Sequence, residues 1–300
     1  MTPHVAVKRL VSGFGTRLLL RRLINFPRDT FDSLTGRRDP LIPPRGLWYV
    51  GGEDDYKAIN DEFLNYFVQL AGVKPNYRML DIGCGIGVVA ARLARFLSSE
   101  GSYEGFDIVG TGIEWANANI QRRFPNFCFR HVDIFNKHYN PKGTLESDNF
   151  VFPYEAANFD FVFLKSVFTH MRPAGVQQYF REIRRVLKPS GCCLATVFLL
   201  NEESAGLIGS GQSSLDIRHD MGGYAVLDRR FPETAVALPE RDFEQWYGLV
   251  GLARAGPVHY GSWCGRTSHL SYQDIIVLRP AEPQLSGIPL PLDQQPNIAR

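Results

Sequence analysis

The sequence predicts an α/β fold in which a mostly parallel sheet carries helices on both faces. Three observations point to it. The run Leu80-Asp81-Ile82-Gly83-Cys84-Gly85-Ile86-Gly87 ends a strand-like apolar stretch in a glycine turn, and Ile86 to Leu97 follows as a helix. Tyr103 to Asp107 then reads as a second strand closed by an acid, twenty positions beyond Gly87. Phe159 to Leu164 is a continuous apolar run with one acid, the pattern of a strand buried on both faces.

The first strand–turn–helix unit carries the chemistry. Glycines let the backbone turn sharply and approach a ligand closely. A carboxylate at Asp107 can accept hydrogen bonds from both hydroxyls of a ribose. The dinucleotide fingerprint G-x-G-x-x-G would need its third glycine where this chain has Val88. Asp81 would also repel a pyrophosphate, whereas a carboxylate suits an ammonium group.

This run resembles motif I of the class I S-adenosylmethionine-dependent methyltransferases, whose ligand carries an amino group and a sulfonium. The resemblance extends from about Tyr77 to Leu200. It implies that Asp81, Gly83, Cys84, Gly85 and Gly87 form the cofactor turn, with Asp107 and Ile108 at the ribose. Asn126 to Asp133 resembles the family's third strand, which implies Asp133 at the adenine amino group and Ile134 offering its N–H to the ring. Lys165-Ser166-Val167-Phe168-Thr169-His170-Met171 resembles motif IV in its SVFTH form, placing Lys165 at the cofactor, Phe168 at the acceptor pocket and His170 near the transferring methyl. The implied fold is a Rossmann-like seven-stranded, mostly parallel sheet with helices on both faces, an N-terminal helical arm and a capping insertion after strand 5.

The remaining elements follow in order. Asp54 to Leu70 reads as an amphipathic helix with Ile59, Phe63, Phe67 and Leu70 on one face. Before it, Trp48 and Tyr49 are a lid over the cofactor or aromatic anchors, and Gly51-Gly52 is a hinge or a simple turn. Pro173 to Leu187 is an amphipathic helix through Val176, Tyr179, Phe180, Ile183, Val186 and Leu187. Lys188-Pro189-Ser190-Gly191 stops it, and Cys192 to Leu200 supplies the fifth strand. Asn201 to Glu240 is too long for a plain connection and reads as a cap. Arg241 to Val250 is the last helix; Ala253 to Tyr260 and Ser271 to Leu278 are the final strands. Trp263 and Arg266 between them line a pocket or plug a hairpin. The expected organisation is an arm over 1–45, a methyltransferase domain over 46–280 with its insertion at 201–240, and a frayed tail over 281–300.

Composition sets the outer bounds. With 300 residues, 44% hydrophobic and 21% charged, the chain reads as a globular protein of one or at most two domains. No run approaches a membrane span and nothing reads as a cleavable signal, so the expected location is cytoplasmic. The five cysteines form no C-x-x-C pair, so neither structural zinc nor another metal is expected. Residues 1–40 hold eight basic side chains against three acids, interleaved with Val11, Phe14, Leu18, Leu19, Leu20, Leu23 and Ile24. That pattern fits a basic amphipathic helix, lying on an anionic membrane surface or packed on the core. Nucleic acid is not an expected partner, because the rest of the chain is mildly acidic and there is no N/D-P-P-Y/F motif.

The expected reaction is methyl transfer from S-adenosylmethionine to a small-molecule acceptor, first a hydroxyl of a sugar, polyketide or lipid-linked metabolite, then an amine or carbon. A hydroxyl needs a base, for which His170 stands first and His259 and Tyr49 in reserve. Phe168, Trp48, His259 and Trp263 are the acceptor-pocket candidates. Two rivals remain: an NAD-dependent dehydrogenase, and a methyltransferase-fold subunit without catalysis that serves as a membrane-associated partner. Oligomeric state is not readable from the sequence.

Overall fold

A computed structural model describes residues 14–49 and 56–282. Lys8, Arg9 and Val11 of the arm, the Gly51-Gly52 pair, the expected helix start at Asp54 and the tail from 283 onward lie outside the described residues. The strands are β1 Arg78–Ile82, β2 Ser102–Asp107, β3 Phe127–His131, β4 Phe159–Leu164, β5 Leu187–Val197, β6 Leu199–Leu200, β7 His219–Asp220, β8 Ala225–Val226, β9 Val236–Pro239, β10 Leu252–Arg254 and β11 Asp274–Pro280. The α-helices are α1 Phe14–Leu34, α2 Tyr56–Ala71, α3 Val88–Leu93, α4 Gly110–Ala116, α5 Pro173–Val186, α6 Glu202–Gly209 and α7 Glu240–Leu249.

Seven strands form one sheet in the order β10-β11-β5-β4-β1-β2-β3. Strands β3, β2, β1, β4 and β5 pair in parallel, and β11 runs antiparallel to both of its neighbours. The chain winds outward from β1 in one direction and restarts at β4 in the other. Such a switch point opens a crevice at the carboxyl ends of the strands.

Both faces of the sheet are covered, which is why the central strand β4 is apolar on both sides. On one face α2 presses Phe67 onto Phe161 and Phe163, with ring centroids 5.0 Å and 4.7 Å apart, and α3 and α4 add Val89 and Ile113 to the same cluster. On the other, α5 buries Val176, Tyr179, Phe180, Ile183 and Val186, the apolar stripe visible in its sequence, and α7 adds Phe243 and Tyr247. A second sheet, β6-β9-β8-β7, is built largely from the insertion and has its own small core around Phe198, Ile208, Ile217 and Trp263.

Several boundaries differ from the sequence expectation; the helix expected over Ile86 to Leu97, for one, spans only Val88–Leu93. The Lys188-Pro189-Ser190-Gly191 stop lies inside β5, which starts at Leu187. Proline is tolerated there because the β4–β5 register shifts between Phe159↔Leu187 and Phe161↔Cys192, leaving the intervening residues out of the regular ladder. The fifth strand also ends earlier, since Leu199 and Leu200 turn away to pair with β9. The strand expected over Ala253 to Tyr260 is short, and His259 makes only an isolated bridge to Ile275.

Phe168 is a core residue and does not belong to the acceptor pocket expected of it. Its ring is fully buried, 5.1 Å from Phe180 and 5.6 Å from Phe243. Phe168→Ala is therefore expected to destabilise the fold by about 3–5 kcal/mol, the range for emptying a buried aromatic site. Urea denaturation measures it; a loss under about 1 kcal/mol would place the ring in accessible space instead.

Candidate functional site

The glycine turn after β1 adopts the backbone that its sequence requires. Gly83, Gly85 and Gly87 have φ of 78°, 60° and 75°, the left-handed region that L side chains rarely adopt. A Cβ on Gly83 would stand 2.4 Å from Val167 Cγ2, so the turn after β1 presses on the segment after β4. A Cβ on Gly87 would meet Ile120 at 2.7 Å, so this third glycine serves close helix packing rather than ligand approach.

Two buried acids face this turn. Asp107, at the end of β2, accepts Gly85 N–H on Oδ2 and Val109 N–H on Oδ1, both at 2.8 Å. An ionised carboxylate has about four lone-pair sites, so half its acceptor capacity remains for a ligand. Burial raises its pKa, and the backbone N–H bonds oppose the rise. Asp81, in β1, accepts the Tyr103 hydroxyl at 2.7 Å, and burial pushes its carboxyl up to about 7.

These groups line a cavity of about 550 Å³ at the switch point, a size ordinary for a small-molecule site. Of the expected cofactor residues it brings together Asp81, Gly83, Cys84, Gly85, Asp107, Ile108, Ile134, Lys165 and Tyr49. Trp48 and His170 join them. Lys165 lies at the end of β4 with its ammonium 4.5 Å from the centre of the Phe63 ring. Burial lowers its pKa to about 8, while Asp81 and Glu62 pull it back up. The next residue, Ser166, holds φ of 60°. A non-glycine residue in that region stores about 1–3 kcal/mol of strain. Its backbone N–H donates to Thr196 Oγ1 at 2.7 Å and its hydroxyl to Gln273 at 3.1 Å, and these bonds hold the bend.

His170 has one ring nitrogen committed. Its Nδ1 lies 2.8 Å from the Glu233 carbonyl oxygen. A carbonyl only accepts, so Nδ1 carries the proton and Nε2 keeps its lone pair in the neutral ring. Burial lowers the His170 pKa, which favours that neutral form. Glu233 comes from the insertion, is buried, and lines the same cavity; its Oε1 pairs with Arg172 at 2.7 Å and its Oε2 has no hydrogen-bond partner. The Tyr49 hydroxyl is likewise buried and unpartnered, and burial raises its pKa well above the ordinary value. That makes Tyr49 a donor rather than the reserve base.

Other expected residues stand elsewhere. Asp133 does not line the cavity: Asn140 donates to its Oδ1 at 3.1 Å, and the Thr144 hydroxyl to its Oδ2 at 2.8 Å. Trp263 is the hairpin plug, fully buried against Phe198 with its Nε1 donating to Asp274 at 2.9 Å. Arg266 is buried beside it and paired to Asp274 and Glu203. His259 is tied into the sheet edge through its backbone, away from the cavity lining. Trp48 both lines the cavity and is anchored, by Nε1 donating to the Pro43 carbonyl at 3.0 Å. Sequence reasoning missed Tyr139, Glu233 and Gln273, which sit in connections without a motif and reach the cavity only through the tertiary fold.

Comparisons with known proteins bear on the family and the fold. A family model described as a methyltransferase domain matches residues 73–220, about half of the chain. The carboxy-S-adenosyl-L-methionine synthase of Yersinia enterocolitica is 24% identical over 159 residues, 52% of this chain and 53% of that protein. The 2-phytyl-1,4-naphtoquinone methyltransferase of Trichormus variabilis is 28% identical over 123 residues, 41% of this chain and 47% of that one. This chain therefore spans about half the length of these curated relatives. The crystal structure of PH0226 protein from Pyrococcus horikoshii OT3 shares the fold, with a TM-score of 0.54 at 18% identity over 82% of this chain and 98% of that one. With the glycine turn, the two acids beside it and the strand order in place, the chain belongs to the class I S-adenosylmethionine-dependent methyltransferase family.

Proposed function

We propose that this chain transfers the methyl group of S-adenosylmethionine to a hydroxyl of a small-molecule acceptor: a sugar, a polyketide or a lipid-linked metabolite. The observation that carries the reading is a carboxylate and an ammonium, Asp81 and Lys165, within one largely apolar cavity beside a glycine turn. The methionyl end of the cofactor carries the complementary pair, an ammonium and a carboxylate. Asp107 would hold the ribose through its remaining lone pairs, and Tyr49 would donate its unpartnered hydroxyl. When bound, the cofactor supplies an electrophilic methyl group on a sulfonium.

The chain's own part is to orient the acceptor, exclude water and move one proton. Holding reactants at near-attack distance is worth roughly 7–11 kcal/mol in favourable systems. His170, neutral and held by the Glu233 carbonyl, would take the hydroxyl proton on Nε2. The unpartnered Glu233 Oε2 would anchor a second polar group of the acceptor. Incubating the full chain with S-adenosylmethionine and fractions of cell metabolites tests the reaction by mass spectrometry. S-adenosylhomocysteine should accumulate while one fraction gains a CH₂; cofactor binding without turnover in any fraction would favour a non-catalytic subunit.

The proposed base has a separate test. His170→Ala should lower the rate by roughly 10²–10⁴-fold with cofactor affinity nearly unchanged. A folded variant turning over at the wild-type rate would point to an acceptor that is already nucleophilic, such as an amine.

Cofactor affinity should also depend on pH in two limbs. Asp81 attracts an ammonium only when ionised, and its carboxyl is raised to about 7, so affinity falls as pH drops below that value. Lys165 attracts a carboxylate only when protonated, and its pKa is lowered to about 8, so affinity falls again above it. Calorimetry with S-adenosylhomocysteine should find the maximum between them. Asp81→Asn should flatten the acid limb and Lys165→Met the alkaline one. An affinity that stays constant from about pH 5.5 to about pH 9.5 would remove both groups from the binding site.

A further inference from the structure

The arm helix α1, Phe14–Leu34, is built inside out for a helix of a globular protein. None of its residues is buried. At about 100° per residue, Leu19, Leu20, Leu23, Ile24, Phe26, Phe31 and Leu34 share an arc of roughly 160°. All seven are exposed, Leu23 by 64%, Ile24 by 76% and Leu34 by 83%. The opposite stripe faces the protein and is polar in its second half. Asp29 accepts the backbone N–H groups of Arg45 and Gly46, both at 3.0 Å, and pairs with Arg38 at 3.0 Å. Asp32 pairs with Arg45 at 2.5 Å.

Charge is sorted in the same sense. Both acids of α1 are turned inward and neutralised by Arg38 and Arg45. Arg17, Arg21, Arg22 and Arg28 are exposed, three of them along one edge of the apolar arc and Arg22 on the other side. An apolar face bordered by arginines, with its carboxylates withdrawn, complements an anionic lipid surface: the face enters the acyl boundary while the guanidinium groups meet headgroup phosphates. A protein partner would satisfy the apolar arc but not explain the one-sign border. No helix among the described residues is long and apolar enough to cross a membrane.

The position of α1 links this face to the cavity. The Phe14 ring, on the inward stripe, lies 5.6 Å from Tyr49 and 5.4 Å from Tyr139, and both tyrosines line the cavity. We propose that α1 docks the protein flat on an anionic bilayer through the Leu19–Leu34 apolar arc, which holds the Tyr49–Tyr139 wall of the cavity at the lipid surface. The docking itself needs neither cofactor nor turnover, so it stands or falls apart from the methyl-transfer reading.

Sedimentation of the full chain with vesicles tests it. With phosphatidylcholine vesicles containing phosphatidylglycerol the chain should pellet at low salt and be released as salt rises. With phosphatidylcholine alone it should remain largely in the supernatant. Leu23→Glu combined with Ile24→Glu should weaken pelleting at least about tenfold. Because both side chains are exposed, the melting temperature and S-adenosylhomocysteine affinity should not change. Arg17→Glu with Arg21→Glu and Arg28→Glu should likewise abolish binding to the anionic vesicles. The proposal fails if the wild type stays in solution with both vesicles, or if the glutamate pair pellets as the wild type does. It also fails if light scattering finds a dimer that the glutamate pair separates while vesicles bind neither form; the face would then belong to a second copy.

Discussion

The carboxylate of Asp107 is the constraint on which the site depends. It is buried at the end of β2, and each of its oxygens takes a backbone N–H, one from the glycine turn after β1 and one from the start of the turn into α4. These bonds fix the carboxyl ends of two adjacent strands relative to each other, at the edge of the crevice that the switch in strand order opens. The turn reaches that carboxylate with Gly83 and Gly85 in the left-handed region. Removing the carboxylate would leave buried N–H groups without partners, which costs more than the bonds themselves contribute.

Around that fixed point the cavity sets opposite charges in apolar surroundings. Asp81 and Lys165 are both driven by burial toward their neutral forms, the acid upward and the amine downward. Each would regain its charge most readily beside a ligand of opposite sign, so a zwitterion suits them better than water-filled space or a pyrophosphate. The strained bend at Ser166 belongs to the same arrangement, since it turns the chain from β4 toward the segment that presents His170. His170 in turn depends on the insertion, whose Glu233 carbonyl fixes its tautomer. The segment between β6 and α7 thus contributes to the wall of the cavity.

How much of this was legible follows from how local each signal is. The glycine turn, Asp107, Lys165 and the α5 stripe are patterns within a few residues, and the fold keeps them where the sequence put them. Asp133 has the right position by resemblance, but the loop after β3 returns Asn140 and Thr144 onto its carboxylate, a contact no strand pattern reveals. Phe168 was expected at the acceptor pocket and Trp263 was left between pocket and plug, because a buried aromatic and a pocket wall have the same sequence; only packing against Phe180 and Phe198 separates them. Proline at 189 reads as a breaker, yet it lies where the β4–β5 register shifts. Glu233, Tyr139 and Gln273 had no signal, because they come from connections that converge only in three dimensions.

The basic arm shows the same lesson in the other direction. Its composition left both packing and surface binding open, and the direction of the helix decides what each side can do: acids inward, apolar side chains outward. The central claim, however, rests on the crevice. Calorimetric titration of the full chain with S-adenosylhomocysteine and with NAD tests it most directly. The expected result is saturable binding of S-adenosylhomocysteine, weakened by about 1.5–3 kcal/mol in Asp107→Asn, with no heat from NAD. Binding of NAD in preference to S-adenosylhomocysteine would contradict it.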